Sequence, residues 1–425
     1  MPESHTSSSE PIEVTVESLG GLGDGIANHN GKPLFIAKSC DGDRLKVCIV
    51  HESKEALQGR IVEVMEGGPH RQVAPCAYFD QCGGCSLQQL AEEHYRNFKT
   101  RMMHESLSRA GFPMPDAQVT FIAPRSRRRV EFKIHPIGDK VVMAFYGLRS
   151  HVPVVIKECL VLKPELDALI SPLNKALSVM PFAPYLYAVS LTSADSGIEM
   201  VLTLKSYDIS RLPDLAELCK KLGLARISVR TPDSRPMVVV QLSPVEMQLG
   251  NYLISLPPEA FLQATAEGQT LLTDLVMSAT KNAASVIDLF CGIGTYSFPL
   301  SGVTKTHAVE GETVMARVIR KSVQRHGITT LTSEQRDLFK KPMTAKELAK
   351  FDAVILNPPR VGAKAQTEQL AESSVSTVVM ISCNPATFTR DAKILREAGF
   401  MLESVQGIDQ FLWSQHLEIA AVFRC

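Results

Sequence analysis

Apolar residues follow two different rhythms along this chain. From 12 to 64, short apolar runs at 12–16, 34–37, 45–50 and 61–64 are separated by Gly-rich or charged turns, a period that predicts a small antiparallel β-barrel. Gly20, Gly21, Gly23 and Gly25 crowd one of these turns, where positive φ angles are expected and glycine alone adopts them cheaply. Between 88 and 110 the repeat lengthens: Leu90, His94, Phe98 and Met102 recur every four residues, which puts them on one face of a helix, and Gly111 followed by Pro113 stops it. The region from 125 to about 256 mixes strand and helix, with β-rich runs at 130–134, 141–146, 200–204 and 237–242. From Phe261 onward, long helical stretches alternate with short apolar strands at 286–290, 306–310, 353–356, 378–382 and 420–423. That alternation predicts a mostly parallel sheet with helices on both faces and ligands at the C-terminal ends of its strands.

Composition changes this picture little. The 425 residues, 45% hydrophobic and 21% charged, describe an ordinary soluble chain of two to three domains at roughly 150 residues each. No run reaches the about 18 apolar residues of a membrane helix, and residues 1–11 are too polar for a signal peptide, so a cytoplasmic location is expected. Charge matters more. The 45 basic and 45 acidic side chains cancel, so a nucleic-acid partner would have to be held by a local patch. Between 96 and 133 stand nine Lys and Arg residues against Glu105, Asp116 and Glu131, a local net of +6. Phosphate contacts there would make binding salt-dependent, the alternative being a solvated charged face.

The ten cysteines do not form a regular disulfide framework. Cys76, Cys82 and Cys85 fall within ten residues, and Gly83 and Gly84 let the backbone fold tightly enough for the thiols to converge. A fourth ligand must come from elsewhere, and Cys159, after a strand-like run at 152–156, is the best candidate. An iron–sulfur cluster and a four-cysteine zinc site both fit this spacing. The bland alternative is a set of buried free thiols.

Three further motifs sit where the later strands run out. Asp288-Leu289-Phe290-Cys291-Gly292-Ile293-Gly294-Thr295-Tyr296-Ser297 follows an apolar strand and opens a helix, and Glu310 ends the next strand 22 positions after Asp288, where a carboxylate can accept bonds from two ribose hydroxyls. Ser297 takes the place of a third glycine and no basic residue waits for phosphate, which favours a nucleoside ligand without a pyrophosphate, such as S-adenosylmethionine, over NAD; Asp337, after the third strand, is placed to receive the adenine amino group. Asn357-Pro358-Pro359-Arg360 resembles the Asn-Pro-Pro-aromatic motif of amino-group methyltransferases, but Arg360 offers no ring to stack on a base. Ser382-Cys383-Asn384-Pro385 then places a thiol at the same edge. Methylating an amino nitrogen needs no thiol. Methylating C5 of a pyrimidine does, because that carbon becomes nucleophilic only after a thiolate adds to C6. A base must afterwards remove the C5 proton; Glu418 is the nearest carboxylate in topology, with His416 second.

With these residues in hand, the sequence resembles the RNA 5-methyluridine methyltransferases, specifically the branch with an N-terminal TRAM domain and a four-cysteine iron–sulfur cluster that methylates a uridine of 23S ribosomal RNA. The similarity runs through the Gly-rich turn, Pro75-Cys76, Arg127-Arg128-Arg129, Phe261-Leu262-Gln263, the Asp288 loop, Ser382 to Thr387 with Arg390-Asp391, and the run from 411 to 418. It implies an α/β multidomain chain: a TRAM (OB-like) β-barrel at 12–66, a central α+β iron–sulfur and RNA-binding domain at 67–258 whose helix 88–111 packs on the catalytic part, and a Rossmann-like class I methyltransferase domain at 259–425. It also implies a [4Fe–4S] cluster on Cys76, Cys82, Cys85 and Cys159, Cys383 as nucleophile and Glu418 as proton acceptor. The implied S-adenosylmethionine contacts are Gln263, Phe290, Thr295, Glu310, Asp337 and Asn357. The implied partner is RNA, with the target base flipped out; neither a membrane nor a protein partner is implied. The cluster is expected to staple loops rather than move electrons.

Three positions depart from the family pattern, which usually has Asp at 357, often Asn at 295, and Pro at 412. Asn357 offers an acceptor but no charge; Thr295 keeps a hydroxyl where an amide is expected. Two alternatives accompany the 23S reading: a uridine of the transfer-RNA T-loop, and a non-catalytic RNA-binding protein that keeps the fold.

Overall fold

A computed structural model describes residues 10–113, 117–138, 140–206 and 214–425. Asp116, one of the three acids in the basic stretch, lies outside the described residues. The chain separates into two compact units, one holding residues up to Met102 with 146–154 and 411–415, the other 103–145, 155–410 and 416–425.

In the first unit, Ile12–Thr15, Ser18–Leu19, Gly25–His29, Lys32–Ile36, Arg44–Glu52 and Leu57–Glu66 form one six-stranded sheet, antiparallel except where Lys32–Ile36 pairs with Leu57–Glu66. Val16, Ala27, Leu34, Ile36, Leu45, Val47 and Leu57 point to one side and make its core, as alternation at period two requires. The glycine-rich turn needs positive φ only at Gly23 (82°). Gly25 is held to glycine by space instead: a Cβ there would lie 2.0 Å from Ser39 Oγ and 2.7 Å from Val16 Cγ1. The helix Glu92–Ala110 starts two residues after Leu90; Phe98 and Met102 are buried and His94 is half-exposed.

The second unit carries two larger sheets. A mixed sheet is built in the spatial order Lys140–Tyr146, Arg129–Ile137, Leu186–Ala194, Gly197–Leu204, Arg226–Arg230 and Met237–Gln241. The other sheet has eight strands: β1 (Val119–Phe121), β2 (Ser285–Leu289), β3 (Lys305–Glu310), β4 (Leu331–Gln335), β5 (Ala353–Leu356), β6 (Thr377–Ser382), β7 (Met401–Asp409) and β8 (Glu418–Arg424). Their order is β4-β3-β2-β5-β6-β8-β7-β1, and β8 alone runs against its neighbours. The central strands are unbroken apolar runs because both faces are covered. On one face Val286, Ala353, Ile355, Val379 and Ile381 pack with Leu272 and Val276 of the helix Ala266–Ala279. On the other, Ala308 packs with Met315 and Ile319 of the helix Thr313–His326. Strand order reverses between β2 and β5, and a crevice at the C-terminal ends of the strands follows at such a point. The expected mostly parallel, doubly covered sheet is therefore present.

The residues of the basic stretch divide between buried, paired and exposed positions. Lys99 and Arg128 are buried, while Arg96, Arg109, Arg125 and Lys133 bind Glu92, Glu105, Asp167 and Glu131. Of the nine, four stand in ion pairs and two are buried, while Arg101 is exposed and Arg127 and Arg129 are half-buried. Among the described residues, no helix is long and apolar enough to cross a membrane.

Candidate active site

The turn after β2 is shaped by three left-handed residues, Phe290 (φ 60°), Gly292 (57°) and Gly294 (87°). A Cβ on Gly292 would meet nothing within 4 Å, so the backbone there faces open space, whereas one on Gly294 would strike the Phe298 ring at 2.8 Å. Asp288 is fully buried beneath this turn. Its Oδ2 accepts a 2.6 Å bond from Ser297 Oγ, and its Oδ1 has no hydrogen-bond partner. Burial, together with the charge of Glu310, pushes the Asp288 carboxyl up to about 7 against the Ser297 bonds. Glu310, at the end of β3, accepts 2.8 Å bonds from the N–H groups of Gly292 and Glu312, which oppose the rise that burial imposes on it. Each of its oxygens keeps a lone pair for a hydroxyl.

Phe290 meets Phe339 with ring centroids 5.2 Å apart, and Phe339 is 51% exposed. Asp337 Oδ1 accepts from the N–H groups of Phe339 and Lys340, so part of its capacity holds its own turn. Thr295 is half-buried on the β2 turn, and Asn357 leaves β5 with its N–H donating to Leu289 O at 3.4 Å. A purine nucleoside fits this arrangement: two rings at the edge, a carboxylate with free lone pairs, an open backbone approach and an orphaned buried oxygen.

A second constellation forms where β6 and β8 end side by side. Ser382 pairs with Ile419, so the antiparallel register brings the next residue, Cys383, to Glu418. The Cys383 thiol is pushed up by burial and by the Glu418 charge, while the Arg360 guanidinium pulls it back through charge and a hydrogen bond. Arg360 is fixed from behind: its carbonyl accepts from Asn384 Nδ2 at 2.9 Å and Thr387 Oγ1 at 3.2 Å, at the start of the helix Pro385–Glu397 that Asn384 caps. Glu418 is 4% exposed, and burial pushes it up to about 7 although Gln410 and Arg360 oppose this. Gln410 Nε2 donates both to Glu418 Oε2 (2.9 Å) and to Gln263 Oε1 (2.8 Å), and Gln263 Nε2 donates to the Tyr296 hydroxyl at 3.3 Å.

Arg360, Gln410, Tyr296 and Phe339 were not singled out from the sequence for these places. Arg360 drew notice only for the ring it lacks, and its position beside the Asn357 motif was the signal available. Replacing Arg360 by Leu is expected to slow alkylation of Cys383 at neutral pH, because without the guanidinium a smaller fraction of the thiol is ionised. An unchanged rate at the Cys383 peptide, read by mass spectrometry, would show that the guanidinium does not act on the thiol.

Cys76, Cys82 and Cys85 all belong to the first unit, and the Lys38 ammonium feels the charge of all three. Lys38 also donates to the carbonyls of Phe79 and Cys82, and Gly84 N–H donates to Cys82 Sγ at 3.4 Å. Gly83 packs against the Gly147 backbone, where a Cβ would come within 3.0 Å. Thiols with an N–H aimed at sulfur and a cation alongside are a donor set that suits an iron–sulfur cluster. Cys159 lies in the second unit, its N–H donating to Asp167 Oδ1 at 2.6 Å.

Comparison with known proteins identifies the family. The tRNA (Uracil-5-)-methyltransferase family matches residues 99–424. An uncharacterized RNA methyltransferase of Brucella suis is 33% identical over 420 residues, covering 98% of both chains. A 23S rRNA (uracil(1939)-C(5))-methyltransferase, RlmD, of Pectobacterium atrosepticum is 28% identical over 97% of this chain and 93% of its own. Among solved structures, the Pyrococcus abyssi tRNA (uracil-54, C5)-methyltransferase in complex with S-adenosyl-L-homocysteine superposes with a TM-score of 0.75 at 19% identity, over 97% of this chain and 99% of that one, and so shares the fold. A nucleoside crevice, a thiol beside a buried carboxylate and a family match over most of the chain lead to one assignment: the chain belongs to the tRNA (uracil-5-)-methyltransferase family and is an S-adenosylmethionine-dependent RNA uracil-C5 methyltransferase.

Proposed function

We propose that this enzyme methylates C5 of a specific uridine in 23S ribosomal RNA through a covalent bond between Cys383 and C6 of the base. The observation that carries the mechanism is the placement of Cys383 beside Glu418 with Arg360 on the thiol. Arg360 holds charge on the thiolate as it adds to C6, and C5 gains the electron density to attack an electrophilic carbon. S-adenosylmethionine supplies that carbon as a sulfonium-bound methyl group, held by Gln263, Phe290, Thr295, Glu310, Asp337 and Asn357. Glu418 then takes the C5 proton, the C5–C6 double bond re-forms and the Cys383 thiolate leaves. The target base reaches Cys383 by leaving its stack.

Residues 12–66 serve in this reading as a TRAM-type barrel and 67–258 as the RNA-binding part. Cys76, Cys82, Cys85 and Cys159 would hold a [4Fe–4S] cluster that fixes loops and takes no part in methyl transfer. Protein purified without oxygen should contain about four irons per chain for such a cluster, and Cys82→Ser should lose most of them; iron-free protein with full zinc content would replace the cluster by zinc.

The ribosomal target draws support from the 28%-identical relative, whose similarity spans both chains almost end to end. The test is mass mapping of modified nucleosides in 23S and transfer RNA from cells with and without the gene. Loss of one 5-methyluridine from 23S RNA is expected; loss confined to the transfer-RNA T-loop would move the substrate there and keep the chemistry.

A further inference from the structure

The first unit holds a second group of metal-ligating side chains that uridine methylation does not use. Cys40, Asp41 and His94 bring one ligand atom each to within 4.8 Å of one another. His94 Nε2 lies 2.8 Å from Asp41 Oδ1, and Cys40 Sγ lies 3.4 Å from the same oxygen. Cys40 is fully buried, whereas Asp41 and His94 keep 28% and 21% of their side-chain surface, so the group opens to solvent on the carboxylate and imidazole side.

We propose that Cys40 Sγ, Asp41 Oδ1 and His94 Nε2 bind one borderline divalent cation of the zinc class. A thiolate, an imidazole and a carboxylate are the donor set such ions select, and three protein ligands leave a fourth position for water. Tetrahedral zinc at its usual bond lengths sets neighbouring ligand atoms about 3.3–3.8 Å apart. The Cys40–Asp41 separation already meets this, and His94 and Asp41 must part by about half an ångström as the ion replaces the proton between them, the imidazole staying neutral with its one proton on Nδ1. Charge balances too: the Cys40 thiol gives its proton to solvent, and thiolate plus carboxylate neutralise the dication.

The surroundings are built to orient the donors. Asp43 Oδ2 accepts the Cys40 N–H at 2.6 Å, and Arg71 grips both Asp43 oxygens at 2.8 Å, so Arg71 is committed to Asp43 rather than to Asp41. The His70 ring stacks on His94 at 4.5 Å and 5°, which fixes the imidazole plane. An ion here ties the segment between the strands Lys32–Ile36 and Arg44–Glu52 to the first turn of the helix Glu92–Ala110.

Zinc K-edge absorption on the intact protein with one equivalent of Zn2+ tests the site. The expected spectrum has one sulfur at about 2.3 Å and lighter ligands at about 2.0 Å. Zinc on the Cys76, Cys82 and Cys85 loop would instead show three or four sulfurs, and that result, or no stoichiometric zinc, overturns the proposal. His94→Ala and Cys40→Ala should each abolish tight binding with unchanged circular dichroism. Asp43→Asn, which only loosens the support, should weaken binding by about 10–100-fold. Unaltered affinity in both ligand variants equally refutes the assignment.

Discussion

Replacing Cys383 by Ala is expected to lower methyl transfer by a factor on the order of 10⁴ or more while leaving S-adenosylhomocysteine affinity within about twofold. The asymmetry follows from the division of the site. Phe290 and Phe339, on the turns after β2 and β4, meet each other, and Glu310, at the end of β3, is held by the Gly292 and Glu312 N–H groups rather than through Cys383. In the proposed mechanism what disappears is the bond to C6, and without it C5 of uracil is too weak a nucleophile for any positioning to rescue. Arg360 remains beside the truncated side chain but has no thiolate to stabilise. Incorporation of radiolabelled methyl into the RNA substrate, alongside calorimetric titration of the cofactor product, reads both halves. A variant that keeps a hundredth of wild-type turnover would rule out the covalent route.

Glu418→Gln separates the chemical steps differently. Cys383 still adds and methyl transfer still occurs, but the C5 proton has no acceptor, so protein and methylated RNA should remain joined and run as one band on a denaturing gel. Two bands after single turnover would assign the proton to another group. The same variant reports on stability. Folding raises the Glu418 carboxyl to about 7 from an ordinary 4.5, so between those pH values the native state keeps a proton that the unfolded chain has lost. Stability from this group therefore falls as pH rises from about 4.5 to 7, by on the order of 3 kcal/mol, and stays lost above. A glutamine never ionises and its Oε1 can still accept the Gln410 bond. The variant should thus match wild type near pH 4.5 and exceed it near pH 8, measured by denaturant unfolding. Some decline with pH should survive, because Asp288 is raised by burial in the same direction. Turnover has the opposite sign, since the base works ionised: kcat should drop as pH falls below about 7.

Five of the eight strands in the catalytic sheet could be read from apolar runs, and 353–356 matched to the residue, because those runs are covered on both sides. The other three give no such signal. Leu331–Gln335 forms one edge with a single buried residue, Val119–Phe121 forms the opposite edge with three residues, and most of Met401–Asp409 faces outward before Gly407. The chemistry divides the same way. Asp288 and Glu310 fall within the last two residues of apolar strands and Cys383 directly after one, so their places at the ligand edge followed from the pattern. Gln410 gave no such sign: a glutamine between a strand and a loop becomes the donor to both Gln263 and Glu418 only when β7 and β8 pair. The pairing of Arg125 was hidden for the converse reason, because its partner Asp167 comes from beyond the basic stretch in the chain.

Phe290 holds a backbone conformation that glycine would adopt without cost, and a side chain there forgoes about 1–3 kcal/mol. A glycine at 290 would relieve that strain, but it would also give up the ring that meets Phe339 and loosen the unfolded chain. Backbone comfort and a ring facing Phe339 are therefore set against each other at this one position.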